Sequence, residues 1–193
     1  VPKQAAYEVS AYVTVADASG MPITSIQASD FKVFEDGTAI PITSVANAVD
    51  SMSVVLVLDT SGSMAGPPLD AVKQAAERFI LRLADQDQVG VYSFNEQVSM
   101  RQDLISVGQG RNYAINAIRP LLAEEKWTCL YDAAYQAVKK AASIPRGRRA
   151  IIVLTDGIDE INAERKPCSI MTFDDVVRTA TSADIRVPIY TIG

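Results

Sequence analysis

The stretch Val54-Val55-Leu56-Val57-Leu58-Asp59-Thr60-Ser61-Gly62-Ser63-Met64 constrains this chain more than any other. A run of apolar, largely β-branched residues leads directly into an aspartate, and a glycine turn carrying two hydroxyls comes next. A short apolar run bounded by a turn reads as a strand buried on both faces, the pattern of a parallel sheet covered by helices. Asp59 then stands at the carboxyl end of that strand, where open α/β sheets bind ligands. Asp59, Ser61 and Ser63 offer oxygen donors within one tight turn, which suits a hard cation such as Mg2+. The turn is therefore read as half of a metal site.

The totals narrow the classes of function. The 193 residues are 48% hydrophobic and carry a net charge of −5. That is enough apolar material for a full core, and the length suits one domain plus a smaller piece, since domains commonly run about 100–150 residues. The negative balance argues against nucleic acid, which needs a basic footprint. The dense basic cluster Arg146-Gly147-Arg148-Arg149 reads as a solvated turn before a strand rather than a phosphate site. No apolar run approaches the roughly 20 residues that cross a bilayer. No signal peptide is visible, but Val1-Pro2-Lys3 reads as a processed start, so this says little about secretion. Histidine is absent, which excludes Ser-His-Asp and Cys-His catalysis and any His-ligated zinc. Cys129 and Cys168 cannot form a structural zinc site by themselves; they are one disulfide or two buried thiols.

Along the chain, residues 1–50 read as β-rich. Tyr7, Val9, Ala11, Val13 and Val15 alternate with mostly polar neighbours, as in a half-buried strand, and residues 17–22 form a turn. A second strand is expected over 31–34, a hairpin-type turn at Glu35-Asp36-Gly37, and a further strand from 39 to 49 that Pro41 confines to a sheet edge. These strands are too few for a sandwich, which needs about seven. The segment is thus expected to be part of a β-sandwich-like domain. It either packs on the 51–193 domain or is completed by chain beyond Gly193, the second being favoured.

After Met52 strands alternate with helices, which predicts an α/β fold with a doubly wound, mostly parallel sheet flanked by helices. Strands are expected over 53–58, 89–94, 150–154 and 187–192, with 97–104 as an antiparallel edge. Helices are expected from about Pro68, where Leu69, Val72, Ala76, Phe79, Ile80 and Leu83 share a face, and over 111–122, 130–142 and 174–183. The 111–122 helix is stopped or kinked at Pro120, and the alanine-rich 130–142 helix allows close packing on the sheet. The chain stops at a strand where this fold places a helix, so the 51–193 domain is expected to lack its last helix and to continue further. The irregular stretch 157–171 is long enough to suggest a functional loop.

Ile151-Ile152-Val153-Leu154-Thr155-Asp156-Gly157 repeats the logic of the first stretch: an apolar strand ends in an aspartate at the same sheet edge. If the two strands are neighbours at the switch point, Asp59 and Asp156 converge. Between them, Thr128 opens the alanine-rich helix, where its hydroxyl is a cap or a ligand. Each piece alone has an ordinary structural reading, as a turn or a helix cap. Their joint occurrence in this order favours a shared site.

The chain resembles a von Willebrand factor type A domain over roughly residues 50–193. Asp59-Thr60-Ser61-Gly62-Ser63 matches that family's Asp-x-Ser-x-Ser signature, Thr128 with Leu130-Tyr131-Asp132-Ala133 its threonine loop and succeeding helix, and Leu154-Thr155-Asp156-Gly157 its aspartate loop. Glu125-Lys126-Trp127 departs from the glycines that often precede the threonine. Val13-Thr14-Val15, Asp17, Gly20, Pro22 and residues 30–37 are similar to the β-rich leader of secreted bacterial proteins carrying this domain. The resemblance implies a Rossmann-like fold and a metal-ion-dependent adhesion site. In that site Ser61, Ser63 and Thr128 coordinate Mg2+ (or Mn2+ or Ca2+), with Asp59 and Asp156 close by, often through water.

An ion held by neutral hydroxyls keeps much of its charge and leaves an open position for a carboxylate. The expected function is a non-enzymatic, metal-dependent protein-binding or adhesion module whose partner supplies an Asp or Glu. Trp127 and Tyr131 lie near the rim as contact residues or as core. Two alternatives differ in class. One is an adaptor of the same fold serving a cytosolic assembly ATPase, against which the β-rich leader favours an extracellular, surface or periplasmic setting. The other is a metal-assisted hydrolase with Asp59 as nucleophile, which lacks the lysine or glycine-rich cradle of phosphoryl transfer; Gly108-x-Gly110 is too weak for one. Cys129 and Cys168 fall on loops at the same sheet edge, so a bridge between them is expected to clamp the loops around the ion.

Overall fold

The computed structural model describes residues 11, 13, 15–21, 23, 25–46, 51–124, 126–144, 147–161, 166–182 and 185–193. The chain divides into two compact units, Val1–Val49 and Asp50–Gly193.

In the first unit, strands β1 (Val33–Glu35) and β2 (Thr38–Ile40) form an antiparallel hairpin with Val33 opposite Ile40. Asp36 and Gly37 both have positive φ, 48° and 79°, the backbone that a two-residue hairpin turn of right-handed twist demands. The expected strand 39–49 ends at Ile40, because Pro41 has no N–H to continue the ladder, and residues 41–46 are irregular. Residues 47–49 and most of the expected first strand lie outside the described residues. At the expected 17–22 turn, Asp17 Oδ1 accepts the backbone N–H groups of Ser19 and Met21 at 2.8 and 2.9 Å.

The second unit is built on a five-stranded sheet. In chain order its elements are β3 (Met52–Asp59), α1 (Pro67–Arg82), β4 (Gln88–Phe94), β5 (Val98–Ser106), α2 (Val107–Ile118), α3 (Leu130–Ala142), β6 (Arg148–Leu154), α4 (Phe173–Ala180) and β7 (Ile189–Ile192). The strands lie in the order β5-β4-β3-β6-β7, all parallel except the antiparallel edge β5. Strand β3 is central and buried from Ser53 to Asp59. Its side chains alternate between two cores, as strand geometry requires. Val54, Leu56 and Leu58 pack with Ala76 and Ile80 of α1 and Ala114, Ile115 and Ile118 of α2. Val55 and Val57 pack with Ala133, Ala137 and Ala141 of α3 and Val176 and Ala180 of α4. Two helices therefore cover each face, which is the expected doubly wound arrangement.

Several boundaries differ from the sequence reading for local reasons. Helix α2 starts at Val107 rather than Arg111 and ends before Pro120, which cannot donate to a helical ladder. Its glycines explain the hidden start: a Cβ on Gly110 would lie 2.3 Å from Ile105 Cδ1, so the helix sits too close to β5 for a side chain there. Gly108-x-Gly110 is thus a packing device inside a helix. Strand β7 begins at Ile189 because Pro188 precedes it. Helix α4 ends at Ala180, where Thr181 Oγ1 turns back to donate to the Val177 carbonyl at 2.7 Å. Arg149 of the basic cluster donates to the carbonyls of Ala141 and Ile144 at the end of α3, at 3.4 and 3.3 Å, where a cation is favourable. Among the described residues no helix is long and apolar enough to cross a membrane.

Candidate functional site

Pairing of β3 with β6 sets Leu58 opposite Leu154, and pairing with β4 sets Asp59 opposite Phe94. The carboxyl ends of β3 and β6 are therefore neighbours. Chain leaves β3 for α1 on one face and returns to β6 from α3 on the other, which opens a crevice at this edge. Asp59 and Asp156 both emerge there.

The turn after β3 is fixed from several sides. Thr60 donates twice to the Phe94 carbonyl, from its N at 2.7 Å and its hydroxyl at 2.9 Å. A short 3-10 turn, Gly62–Met64, comes next, with the Met64 side chain buried beneath it. Gly62 N donates to the Lys126 carbonyl at 3.2 Å, which draws the segment preceding Thr128 against this turn. Gly66, with φ of 80°, then swings the chain into α1, and Pro67 and Pro68 occupy positions where no N–H is needed.

The donor atoms converge. Ser61 Oγ lies 3.2 Å from Ser63 Oγ, and Ser63 Oγ donates to Asp156 Oδ1 at 3.0 Å. Asp59, fully buried, holds the turn from below: its Oδ1 accepts Ser61 N–H at 2.8 Å and its Oδ2 accepts the Thr155 hydroxyl at 2.5 Å. Burial pushes the Asp59 carboxyl above its ordinary range, the hydrogen bonds from Thr155 and Ser61 work against this, and the negative charge of Asp156 adds to it. Thr128 is buried at the mouth of α3. A Cβ on Gly157 would lie 3.7 Å from Thr128 Oγ1 and 3.9 Å from Thr155 Oγ1, ordinary contact distances that place the aspartate loop beside Thr128. All five sequence-derived residues thus lie at one sheet edge, Asp59 as the last residue of β3 and the others in the loops beyond it. Ser61 and Thr128 are buried, while Ser63 and Asp156 are exposed.

The spacing suits a small hard cation. Adjacent ligands on an octahedron with bonds of about 2.1 Å stand about 3 Å apart, close to the separations of the Ser61–Ser63 and Ser63–Asp156 oxygen pairs. Two carboxylates near one another, one of them desolvated, also favour a positive charge between them. Among the described residues no group of three or more His, Cys, Asp or Glu side chains gathers in a metal-holding arrangement.

Three contributors escaped the sequence reading. Thr155 orients Asp59, and the signal was the hydroxyl immediately before the second aspartate. Asn95, just past β4, accepts Cys129 N–H on its carbonyl at 2.9 Å. Asp159 accepts the N–H groups of Tyr131, Cys168 and Ser169 at 3.0, 2.8 and 3.0 Å. Cys129 and Cys168 form a disulfide, as expected from their loops. Trp127 is 43% exposed, whereas Tyr131 is half-buried with its ring edge-on to Phe173 at 6.1 Å.

Comparison with known proteins agrees with this architecture. Residues 54–158 match the model of the von Willebrand factor type A domain. The Synechocystis protein sll0103 is 30% identical over 143 residues, covering 74% of this chain and 32% of its own length. The solved von Willebrand factor type A structure from Catenulispora acidiphila superposes with a TM-score of 0.59 at 26% identity, covering 74% of this chain and 33% of that one. Proximal thread matrix protein 1 from the mussel byssus, solved with a zinc-occupied MIDAS motif, shares the fold with a TM-score of 0.58 at 14% identity, over 74% of this chain and 38% of that one. The chain spans about a third of the length of the first two. The motif order, the doubly wound sheet and the match over more than half the residues establish that this chain belongs to the von Willebrand factor type A domain family.

Proposed function

We propose that the chain is a metal-dependent protein-binding module. Ser61, Ser63 and Thr128 would hold a divalent cation, Mg2+ by preference with Mn2+ or Ca2+ as substitutes, with Asp59 and Asp156 beside it. The observation that carries this reading is the chain of short contacts from Ser61 to Ser63 to Asp156 above the buried Asp59. The ion would supply a positive charge that neutral hydroxyls leave largely uncompensated. What it attracts is an Asp or Glu carboxylate of a partner protein, with exposed Trp127 adding apolar contact.

A binding role is favoured over hydrolysis by the state of Asp59. Both of its oxygens already accept hydrogen bonds and the residue is fully buried, so it orients neighbours rather than attacking a substrate. The disulfide favours an oxidising compartment, at the cell surface, outside the cell or in a periplasm. Residues 1–50 are proposed as part of a β-sandwich-like unit. The hairpin β1–β2 exposes Val33, Phe34 and Ile40, and a two-stranded hairpin is marginal alone.

The test is isothermal titration of Mg2+ and Mn2+ into the wild type and into Asp59→Ala with Ser61→Ala, repeated with acetate and with a glutamate-containing peptide. Stoichiometric binding by the wild type, lost in the variant and strengthened by the carboxylate, is expected. No cation binding under any of these conditions would overturn the proposal.

A further inference from the structure

Resting on that reading, we infer that Asp159 and the Cys129–Cys168 bridge form one brace that positions Thr128 and makes the cation site prefer Mg2+ to Ca2+. The brace is a closed ring. Thr128 N–H donates to the Glu160 carbonyl at 3.3 Å and Glu160 N–H returns to the Thr128 carbonyl at 3.2 Å. Glu160 adjoins Asp159, whose Oδ1 accepts Cys168 N–H at 2.8 Å and Ser169 N–H at 3.0 Å. Cys168 is bonded to Cys129, the residue after Thr128. Asp159 Oδ2 closes the ring a second time on Tyr131 N–H, at 3.0 Å in the first turn of α3, and also takes the Ser169 hydroxyl.

Asp159 therefore spends both oxygens on backbone and hydroxyl donors of the loops around Thr128. It is a positioning residue. Asp132 extends the same arrangement by accepting Met171 N–H at 2.8 Å and Ile170 N–H at 3.1 Å. Backbone held at Thr128 by Glu160, and at Cys129 and Tyr131 by the bridge and Asp159, leaves this ligand little freedom to follow the ion. Mg2+ demands near-ideal octahedral bonds of about 2.0–2.1 Å, whereas Ca2+ accepts six to eight ligands at about 2.3–2.6 Å in flexible geometry. Rigid hydroxyls reward the smaller ion, and loosening Thr128 removes that advantage.

The experiment titrates Mg2+ and Ca2+ separately into the wild type, Asp159→Ala and Asp159→Asn, each with the disulfide intact and with a thermal melt to confirm folding. Asp159→Ala should weaken Mg2+ by about tenfold or more and Ca2+ by clearly less, so that the ratio of the two affinities falls. Asp159→Asn, whose amide oxygen still accepts Cys168 and Ser169 N–H, should fall between the two. Cys129→Ser with Cys168→Ser should move the ratio in the same direction. An unchanged ratio in folded Asp159→Ala overturns the inference; if that variant does not fold, an unchanged ratio in Asp159→Asn does so. A wild type that binds neither ion overturns the cation reading as well, and so marks the two failures apart.

Discussion

The Thr155 hydroxyl donates to Asp59 Oδ2 at 2.5 Å, joining the last residue of β3 to the first residue after β6. The contact spans 96 positions in sequence and depends only on the register that sets Leu58 against Leu154. It gives the buried carboxylate one of its two oriented donors, and so ties the fold of the sheet to the geometry of the crevice.

The protonation of Asp59 is governed by this environment. Its pKa is raised, chiefly by burial, so protonation favours the folded state. The metal-free wild type should lose the corresponding stability as pH climbs from the ordinary carboxylate value of about 3.9 through the raised folded value, and carry the full cost above it. Asp59→Asn does not titrate. Thermal melts in chelator should show the Asn variant gaining on the wild type between pH 3 and pH 7 (roughly the span from below the unfolded carboxylate pKa to well above it). A difference independent of pH would contradict this account.

Ser61 and Asp156 should matter to the cation rather than to the fold. Ser61→Ala and Asp156→Ala are each expected to weaken Mg2+ binding by about tenfold or more. The wild type in Mg2+ at about one hundred times its Kd should gain about 2.7 kcal/mol over the chelated protein, and the variants correspondingly less. Melts with Mg2+ and with chelator measure both quantities. Equal Mg2+ stabilisation of variant and wild type would remove these residues from the site.

The parts of this architecture that were legible are those carried by a strong local signal. The apolar run 54–58 reads as a central strand because both faces of it are covered, and it is buried throughout. The small apolar face of α3 reads as a close-packing face, and Ala134, Ala137 and Ala141 do lie in the core on that side of the sheet. Asp59, Ser61, Ser63, Thr128 and Asp156 could be singled out as candidates because each sits at or next to the end of such an element. The role of Asp159 was hidden. Its partners are backbone N–H groups at positions 131, 168 and 169, and nothing in the residue types there announces them. The start of α2 was hidden for another reason: glycines at 108 and 110 oppose a helix by propensity, and only close approaches explain them, Gly108 to Asp85 and Gly110 to Ile105 of β5.

The disulfide should contribute materially to stability. It closes a sequence separation of 39 residues. In the chain-entropy view, a loop of that size is worth about 4 kcal/mol, through restriction of the unfolded chain. Urea denaturation of Cys129→Ser with Cys168→Ser should show a loss of this order, with a lower midpoint. A loss well under 1 kcal/mol (compared with the typical range of about 2–4) would mean that Asp159 and Asp132 hold the loops without help.

Gly110→Ala distinguishes packing from propensity. In the middle of an exposed helix the change to alanine stabilises by about 1 kcal/mol. At this position the new Cβ would meet Ile105 Cδ1, Cγ1 and Cγ2 at 2.3, 2.4 and 2.7 Å. Two of those atoms are attached directly to the Ile105 Cβ, so rotating the end of the side chain does not clear them. Either α2 lifts from β5 or Ile105 moves from its place against Gly110. The expected outcome is a net loss of about 1–3 kcal/mol in urea denaturation, the usual cost of overpacking. Ile105→Ala should reverse the sign of the Gly110→Ala effect, because the methyl then enters vacated space. A double-mutant cycle with strongly favourable coupling between the two changes is the signature of contact. If Gly110→Ala stabilises the protein in the presence of Ile105, then α2 does not pack as tightly on β5 as these distances require.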